Sequence, residues 1–447
     1  MKKILFIGAG RSASSAIKYL LDQAEKNDWL IRLGDVDLNL AEERIGSHPR
    51  GEAFSFNALD PDVRAEEIQK CDVVISMLPA RFHIEIAKDC VKYCKDVITP
   101  SYVSNEMKEL HEAAVEAGII IMNEIGVDPG IDHMSAQKIL DEIEARGAEI
   151  FQFESFTGGL LAPESENNPW KYKFTWNPRN VVLAGQGGAA KFIHNGKYKY
   201  IPYTKLFRRT EFIEIEGYGK FEGYANRDSL KYRSIYGLQN IDTIYRGTLR
   251  RVGFCRAWDI FIQLGCTDDS YVIEGSKDMT KREYINSFLR YISYDSVELK
   301  LRHYLKIDQD DTIWEKLEWL GIFENVPINY GKDGTPAQLL QKILMDKWSL
   351  EEEDKDMIVM WHKFGFIHDG KKKEIQSSMV YVGQNQIYTA MSDTVGLPVA
   401  ICAEMILNGT IKIKGVQLPL KKEIYLPVLE KLVEYGVRFV EKEKEIS

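Results

Sequence analysis

The chain has 447 residues, 45% of them apolar, and a formal net charge of −9 with acidic and basic residues interspersed. That length is too great for one core and sets an expectation of two or three domains, and the acidic balance argues against a nucleic-acid scaffold. Six cysteines, at 71, 90, 94, 255, 266 and 402, show neither a C-x-x-C pair nor the spacing of a disulfide framework, so reduced thiols are expected.

The first predicted strand is followed by a turn that carries chemistry. In KKILFIGAGRSA a buried apolar run from Ile4 to Ile7 delivers Gly8, Gly10 and Ala13 at G-x-G-x-x-A spacing, before the helical pattern AIKYLLDQ. Gly8 permits the tight turn, Gly10 lets backbone approach a pyrophosphate, and Ala13 lets helix and strand pack closely. The next strand, WLIRLGD, leads into VDL, so Asp35 and Asp37 fall where a carboxylate holds a ribose diol. The bland alternative is a glycine turn with no ligand.

From Lys2 to about Asn123, short β-rich runs (ILFIGA, WLIRLGD, AFSF, DVVISML, DVITPS, IIIMNE) alternate with amphipathic stretches, the rhythm of a doubly wound parallel sheet. Ligands bind beyond the carboxyl ends of such strands, which makes Asn57, Leu78, Pro79, Ser101 and Tyr102 pocket candidates. GVDPGIDHMSAQKILDEIEARG reads as a tight loop and a helix. Residues 149–275 alternate in the manner of a mixed sheet, 277–368 carry helical spacing, and strands return near SSMVYVGQNQIYTAM. VGLPVAICAEMILNG reads as a helix closed by Gly409, and the tail from Lys421 to EKEKEIS as a solvated terminus. Lys2 and Lys3 precede an apolar stretch too short for a signal peptide, and no run approaches a membrane span, so a cytoplasmic protein with no membrane partner is expected. Cys90 and Cys94 lie four apart on an expected helix, but no further His or Cys pair completes a zinc set, and no metal is expected.

Six stretches, PSYVS at 100–104, GVDPGIDHM at 126–134, GGLLAPESENNPWKYKFTW at 158–176, EGYANRDSLKY at 222–232, YRGTLR at 245–250 and TVGLP at 394–398, together resemble the saccharopine dehydrogenase family, specifically its glutamate-forming reductases. The resemblance implies a homodimer. It also implies a Rossmann dinucleotide-binding domain at 1–127, completed by about 390–447, with an inserted mixed α+β substrate and dimerisation domain at 128–276 and 369–389 and a helical lobe at 277–368. The implied reaction joins glutamate to 2-aminoadipate 6-semialdehyde as an imine and reduces it to saccharopine with a nicotinamide hydride, reversibly. A tricarboxylate amine needs cationic forks, and arginine is the suitable clamp.

By the same resemblance, the substrate falls to Ser101, Tyr102, Arg227, Thr248, Leu249 and Arg250. The cofactor falls to Gly8, Ala9, Gly10, Arg11 and Ser12, to Asp35, Val36 and Asp37, and to Asn57, Ala58 and Leu78. Pro100, Ser101, Val127, Asp128, Pro129 and Asn177 complete that set. Read without the family, each arginine is a surface salt bridge and Tyr102 a core tyrosine.

Two departures bear on chemistry. Where many members place a basic residue after the second strand, this chain has Asp35, Val36 and Asp37; a carboxylate repels a 2′-phosphate, so NAD(H) is expected over NADP(H). The alternative has Asp35 pointing elsewhere while Arg32 or Arg11 meets the phosphate. Thr157 stands where the family commonly has a cysteine, which moves proton transfer onto Asp128 or Tyr102, with Asp128 the first choice as base. A second reading of Asp128 has it capping the helix that begins near Ile131. His133 is a reserve acid–base candidate or a core histidine. KFIHNGKYKYIPYTKLFRR reads as a hairpin with basic edges, ahead of a single-stranded nucleic-acid surface. The other functions left open are an oxidoreductase on another N-alkylated amino acid or polyamine precursor, and a non-catalytic dinucleotide-sensing dimer.

Overall fold

Four consecutive buried residues, Ile4 to Ile7, suit a strand covered on both faces, and they lie in β1 (Lys2–Ile7), an interior strand of a parallel sheet. The computed structural model describes residues 1–446. The chain forms two units, one of residues 1–149, 368–371 and 379–441, the other of 150–367, 372–378 and the described residues from 442 onward.

The first unit holds β1, β2 (Trp29–Asp35), β3 (Gly51–Ser55), β4 (Val73–Ser76), β5 (Asp96–Ile98), β6 (Ile120–Met122) and β15 (Gly415–Gln417). Their order is β15-β6-β5-β4-β1-β2-β3, with every pairing parallel. The order reverses between β1 and β4, so the crevice for a ligand lies at the carboxyl ends of these strands. The helix Ile131–Ala145, expected in the substrate domain, groups with this unit, where Tyr425 Oη donates to Asp141 Oδ2 at 2.5 Å.

The expectation that no run approaches a membrane span needs correction. The helix Ala390–Leu407 is, by length and composition alone, long and apolar enough to cross a membrane, but most of it is buried in the protein. It packs on the helix Ser14–Ala24, and Ser15 Oγ bonds to Ser392 Oγ at 2.8 Å and to Asp393 Oδ1 at 2.5 Å. Cys94 also departs from expectation: it lies beyond the end of helix His83–Lys92, exposed and with positive φ, because that helix has already stopped at Lys92.

The second unit is built on a nine-stranded mixed sheet of β7 (Glu149–Leu161), β8 (Ala190–His194), β9 (Lys197–Ile201), β10 (Thr210–Ile215), β11 (Gly219–Ala225), β12 (Thr243–Arg251), β13 (Asp356–His368), β14 (Lys371–Val382) and β16 (Val440–Glu445). The path is β10-β11-β12-β7-β13-β14-β16, and the β8–β9 hairpin branches from β12. Strand β12 runs parallel to β7 and antiparallel to β11. Trp170, Tyr172, Phe254 and Trp348 close into one aromatic cluster beside it, with ring centroids 5.0 to 6.0 Å apart.

One sequence expectation fails here and another is refined. The helical stretch 277–368 ends in β13, because Met357, Ile358, Val359 and Met360 are all fully buried and such a continuous apolar run carries no helical period. The tail is solvent-exposed, and it is also an ordered strand: β16 takes a sheet edge, where Lys444 pairs with Glu374 at 3.2 Å and Glu443 with Lys373 at 3.3 Å. An all-exposed strand has no hydrophobic alternation to reveal it, and opposite charges across the ladder substitute.

Candidate active site

The crevice begins where β1 ends. Gly8 turns the chain at φ +101°, and its N–H donates to Gly34 O at 2.9 Å. A Cβ on Gly8 would press within 3.3 Å of Met77 backbone, whereas one on Gly10 would meet nothing within 4 Å. The open side at Gly10 leads to the turn Arg11–Ala13 and the helix Ser14–Ala24, neither of which has a side-chain cap. The Ala13 N–H donates to Gly10 O at 2.9 Å and the Ser15 N–H to Ser392 Oγ at 3.1 Å, but no N-cap side chain covers the turn at Gly10 to Ser12, and this cradle fits the pyrophosphate of a dinucleotide.

Asp35 closes the far side of this turn. Its Oδ2 accepts the Ala9 N–H at 2.7 Å and its Oδ1 the Asp37 N–H at 2.9 Å. Asp37 caps the helix Leu38–Ile45 through the Leu40 N–H at 3.3 Å, and Val36 is exposed. Arg32, one alternative for a 2′-phosphate, is already held by Glu52 at 3.1 Å, by Glu67, and against the Phe54 ring. Arg11 is exposed at the turn. Beyond β3, Asn57 Oδ1 accepts the Leu59 N–H at 3.0 Å, and Ala58 O accepts from Arg64 Nη1 at 2.7 Å.

Past β4 and β5, Leu78, Pro100 and Ser101 are half-buried and Tyr102 is exposed, so Tyr102 is not a core residue. Its hydroxyl donates to Asp128 Oδ1 at 3.1 Å. Asp128 does not cap the following helix, which starts from Gly130 without a side-chain cap; the Gly130 N–H donates instead to Asp132 Oδ1 at 2.7 Å. Val127 and Pro129 are buried beside it. Three buried groups missed in the sequence brace this region. Glu124 accepts the Val103 N–H at 2.9 Å and bonds with His133 Nε2 at 2.8 Å, Asp132 is fully buried, and His83 links Ser76, Thr99 and Ser101. Helix spacing announces none of them; Glu124 alone stands just beyond a strand end, while His83 opens the helix His83–Lys92 and Asp132 lies in the first turn of Ile131–Ala145.

In the second unit, Arg250 on β12 is 5% exposed. Its guanidinium carbon lies 5.2 Å from the Tyr172 ring, 5.4 Å from Phe254 and 5.8 Å from Tyr224. Nη1 donates to Leu249 O at 2.9 Å, Nε is buried without a partner, and among the described residues no carboxylate forms an ion pair with it. The surface salt bridge that composition favours is therefore absent. Tyr172 Oη is likewise buried without a partner, and burial pushes its pKa up to about 12. Thr157 Oγ1 is a third such atom, on the residue paired in register with Thr248. Leu249 is buried in β12, and Arg227 is exposed just beyond β11, where its carbonyl accepts the Lys191 N–H at 2.8 Å. Asn177 caps the helix Pro178–Val182 through the Arg179 N–H at 2.9 Å.

A parallel sheet in this order, with an uncapped glycine turn and an acid closing it, defines a dinucleotide-binding protein of the doubly wound class. Residues 4–122 match the saccharopine dehydrogenase NADP binding domain and residues 126–437 the saccharopine dehydrogenase C-terminal domain. The chain belongs to the saccharopine dehydrogenase family. It is 34% identical to "Saccharopine dehydrogenase [NADP(+), L-glutamate-forming]" of Schizosaccharomyces pombe, over 99% of both chains. It is 33% identical to the mitochondrial alpha-aminoadipic semialdehyde synthase of Rattus norvegicus, over 98% of this chain and 47% of that one. The solved apo saccharopine dehydrogenase (L-Glu forming) of Saccharomyces cerevisiae superposes with a TM-score of 0.90 at 32% identity, covering all of both chains.

Proposed function

We propose that this protein is a glutamate-forming saccharopine dehydrogenase. Saccharopine, water and the oxidised dinucleotide give glutamate, 2-aminoadipate 6-semialdehyde, the reduced dinucleotide and a proton, and the reaction reverses. Likeness along the full length supports the activity. The observation that carries the substrate assignment is Arg250, a buried cation with no acid of its own, whose cost of burial a substrate carboxylate offsets. Thr248 and the exposed Arg227 are assigned to the same ligand; Ser101 and Tyr102, at the crevice of the first unit, are assigned ligand contacts as well.

The turn from Gly8 to Ser12 holds the pyrophosphate and Asp35 the adenosine ribose. When bound, the dinucleotide supplies the hydride acceptor, or the donor in reverse. Asp128 takes the proton of the secondary ammonium, which frees the nitrogen lone pair to assist hydride departure. Tyr102, hydrogen-bonded to that carboxylate, orients it. Asp128 then gives that proton to solvent, as the one released in the overall reaction, and as a carboxylate again activates the water that opens the imine, the water's proton passing on to the departing glutamate nitrogen. Thr157 stays outside proton transfer, since its hydroxyl does not ionise near neutrality.

NAD(H) is the preferred cofactor in this reading, although the fungal relatives carry NADP(+) in their names. Support comes from Asp35 and the apolar Val36 at the end of β2 and from the two acids that occupy Arg32. The protein acts as a homodimer, which light scattering on the purified chain tests. The activity is tested by supplying 2-aminoadipate 6-semialdehyde with NADH, first without and then with glutamate. Oxidation of NADH that requires glutamate and yields a product of saccharopine's mass is expected, and oxidation indifferent to glutamate overturns the proposal.

A further inference from the structure

We infer that His83 is a positioning residue that fixes Ser101 as a hydrogen-bond donor toward the bound ligand. The imidazole bridges the ends of the neighbouring strands β4 and β5. Its Nδ1 lies 2.8 Å from Ser76 Oγ, and its Nε2 lies 2.8 Å from Ser101 Oγ and 3.0 Å from Thr99 Oγ1. Burial pushes its pKa down to about 4, so near neutrality the ring is uncharged and carries one N–H.

That proton is assigned to Nε2. Ser76 is fully buried, and its side chain has no other hydrogen bond among the described residues, so in this assignment its hydroxyl donates to Nδ1 and Thr99, 2% exposed, keeps only acceptor bonds. The ring proton is then on Nε2. Thr99 Oγ1 already accepts the Ser101 N–H at 3.3 Å, and Nε2–H is shared between it and Ser101 Oγ. With its oxygen accepting from the ring, Ser101 directs its own proton outward. It therefore meets an acceptor oxygen, such as a substrate carboxylate or a carboxamide, rather than a donor.

This inference rests on the reading of Ser101 as a ligand-contacting residue, and the experiment separates the two. Steady-state KM for saccharopine and for the dinucleotide, together with kcat, are measured for His83→Leu, His83→Gln, Ser101→Ala and the double variant His83→Leu/Ser101→Ala. The expected result is a KM raised about fivefold to tenfold by Ser101→Ala, the same KM raised by His83→Leu, and no further rise in the double variant. His83→Gln, whose amide N–H takes the place of Nε2–H, restores most of the loss. Multiplying effects in the double variant, with Ser101→Ala alone raising KM, overturn the role of His83. Unchanged KM values in Ser101→Ala overturn the reading beneath it. On unaltered protein, nitrogen NMR of labelled histidine, assigned by the signal lost in His83→Gln, is expected to show the proton on Nε2; a proton on Nδ1 overturns the inference.

Discussion

Tyr102 Oη and Asp128 Oδ1 stand 3.1 Å apart, joining the loop beyond β5 to the loop beyond β6 at the carboxyl end of the sheet. Asp128 is half-buried and near the surface end of the crevice, while the loop that carries it is pinned by the buried Asp132, Glu124 and His133. A proton acceptor fixed in this way is expected to matter for turnover more than for cofactor binding. Asp128→Asn should lower kcat by about 100-fold or more, and Tyr102→Phe by roughly tenfold, with dinucleotide affinity by fluorescence titration little changed. Unaltered turnover in Asp128→Asn would move the base elsewhere.

Asp35 binds the Ala9 N–H and so ties the end of β2 to the glycine turn. Its substitution by serine should weaken both dinucleotides through loss of that bond. The charge effect acts on one alone. Relative kcat/KM for NADP(H) over NAD(H) should rise at least about tenfold, equivalent to about 1.4 kcal/mol. Preference for NADP(H) in the unaltered protein would remove the premise.

Arg250 is a site where affinity and stability pull in opposite directions. Arg250→Met keeps most of the volume among Tyr172, Tyr224 and Phe254 while removing an unpaired buried cation. The thermal midpoint without ligand should hold or rise. The same change should cut kcat/KM for saccharopine by about 100-fold, from the loss of a charge-assisted anchor worth roughly 3 kcal/mol. A lower midpoint with unchanged kinetics would make Arg250 purely structural.

His83 also writes a signature into stability. Its folded-state pKa of about 4 lies below the ordinary 6.5, so between these values the unfolded chain binds more protons. The stability contributed by the neutral ring is fully present above pH 6.5 and is lost as the pH falls toward about 4. His83→Gln should flatten that part of the thermal midpoint against pH, while an unchanged slope would show that other groups carry it.

The dinucleotide half was legible because its signals are local. Strand, glycine turn and helix fall within Lys2–Ala24, and the turn residues are conformationally special. The second unit was legible only in class. Strand β13 has an apolar run without a period, and β16 consists of Val440 and charged residues at a sheet edge. The isolation of Arg250 was also hidden, since a sequence gives the charge of a side chain but not whether an acid stands beside it. His83 and Glu124 act through contacts made only once β4, β5 and β6 align.

In a glutamate-forming reaction the bond broken in saccharopine leaves its bridging nitrogen on glutamate. Saccharopine labelled with nitrogen-15 at the secondary amine, incubated with the protein and NAD+, tests this most directly when the products are resolved by mass. Labelled glutamate in step with the NADH formed, and unlabelled 2-aminoadipate 6-semialdehyde, are expected; label recovered in lysine, with 2-oxoglutarate as the co-product, would overturn the glutamate-forming assignment.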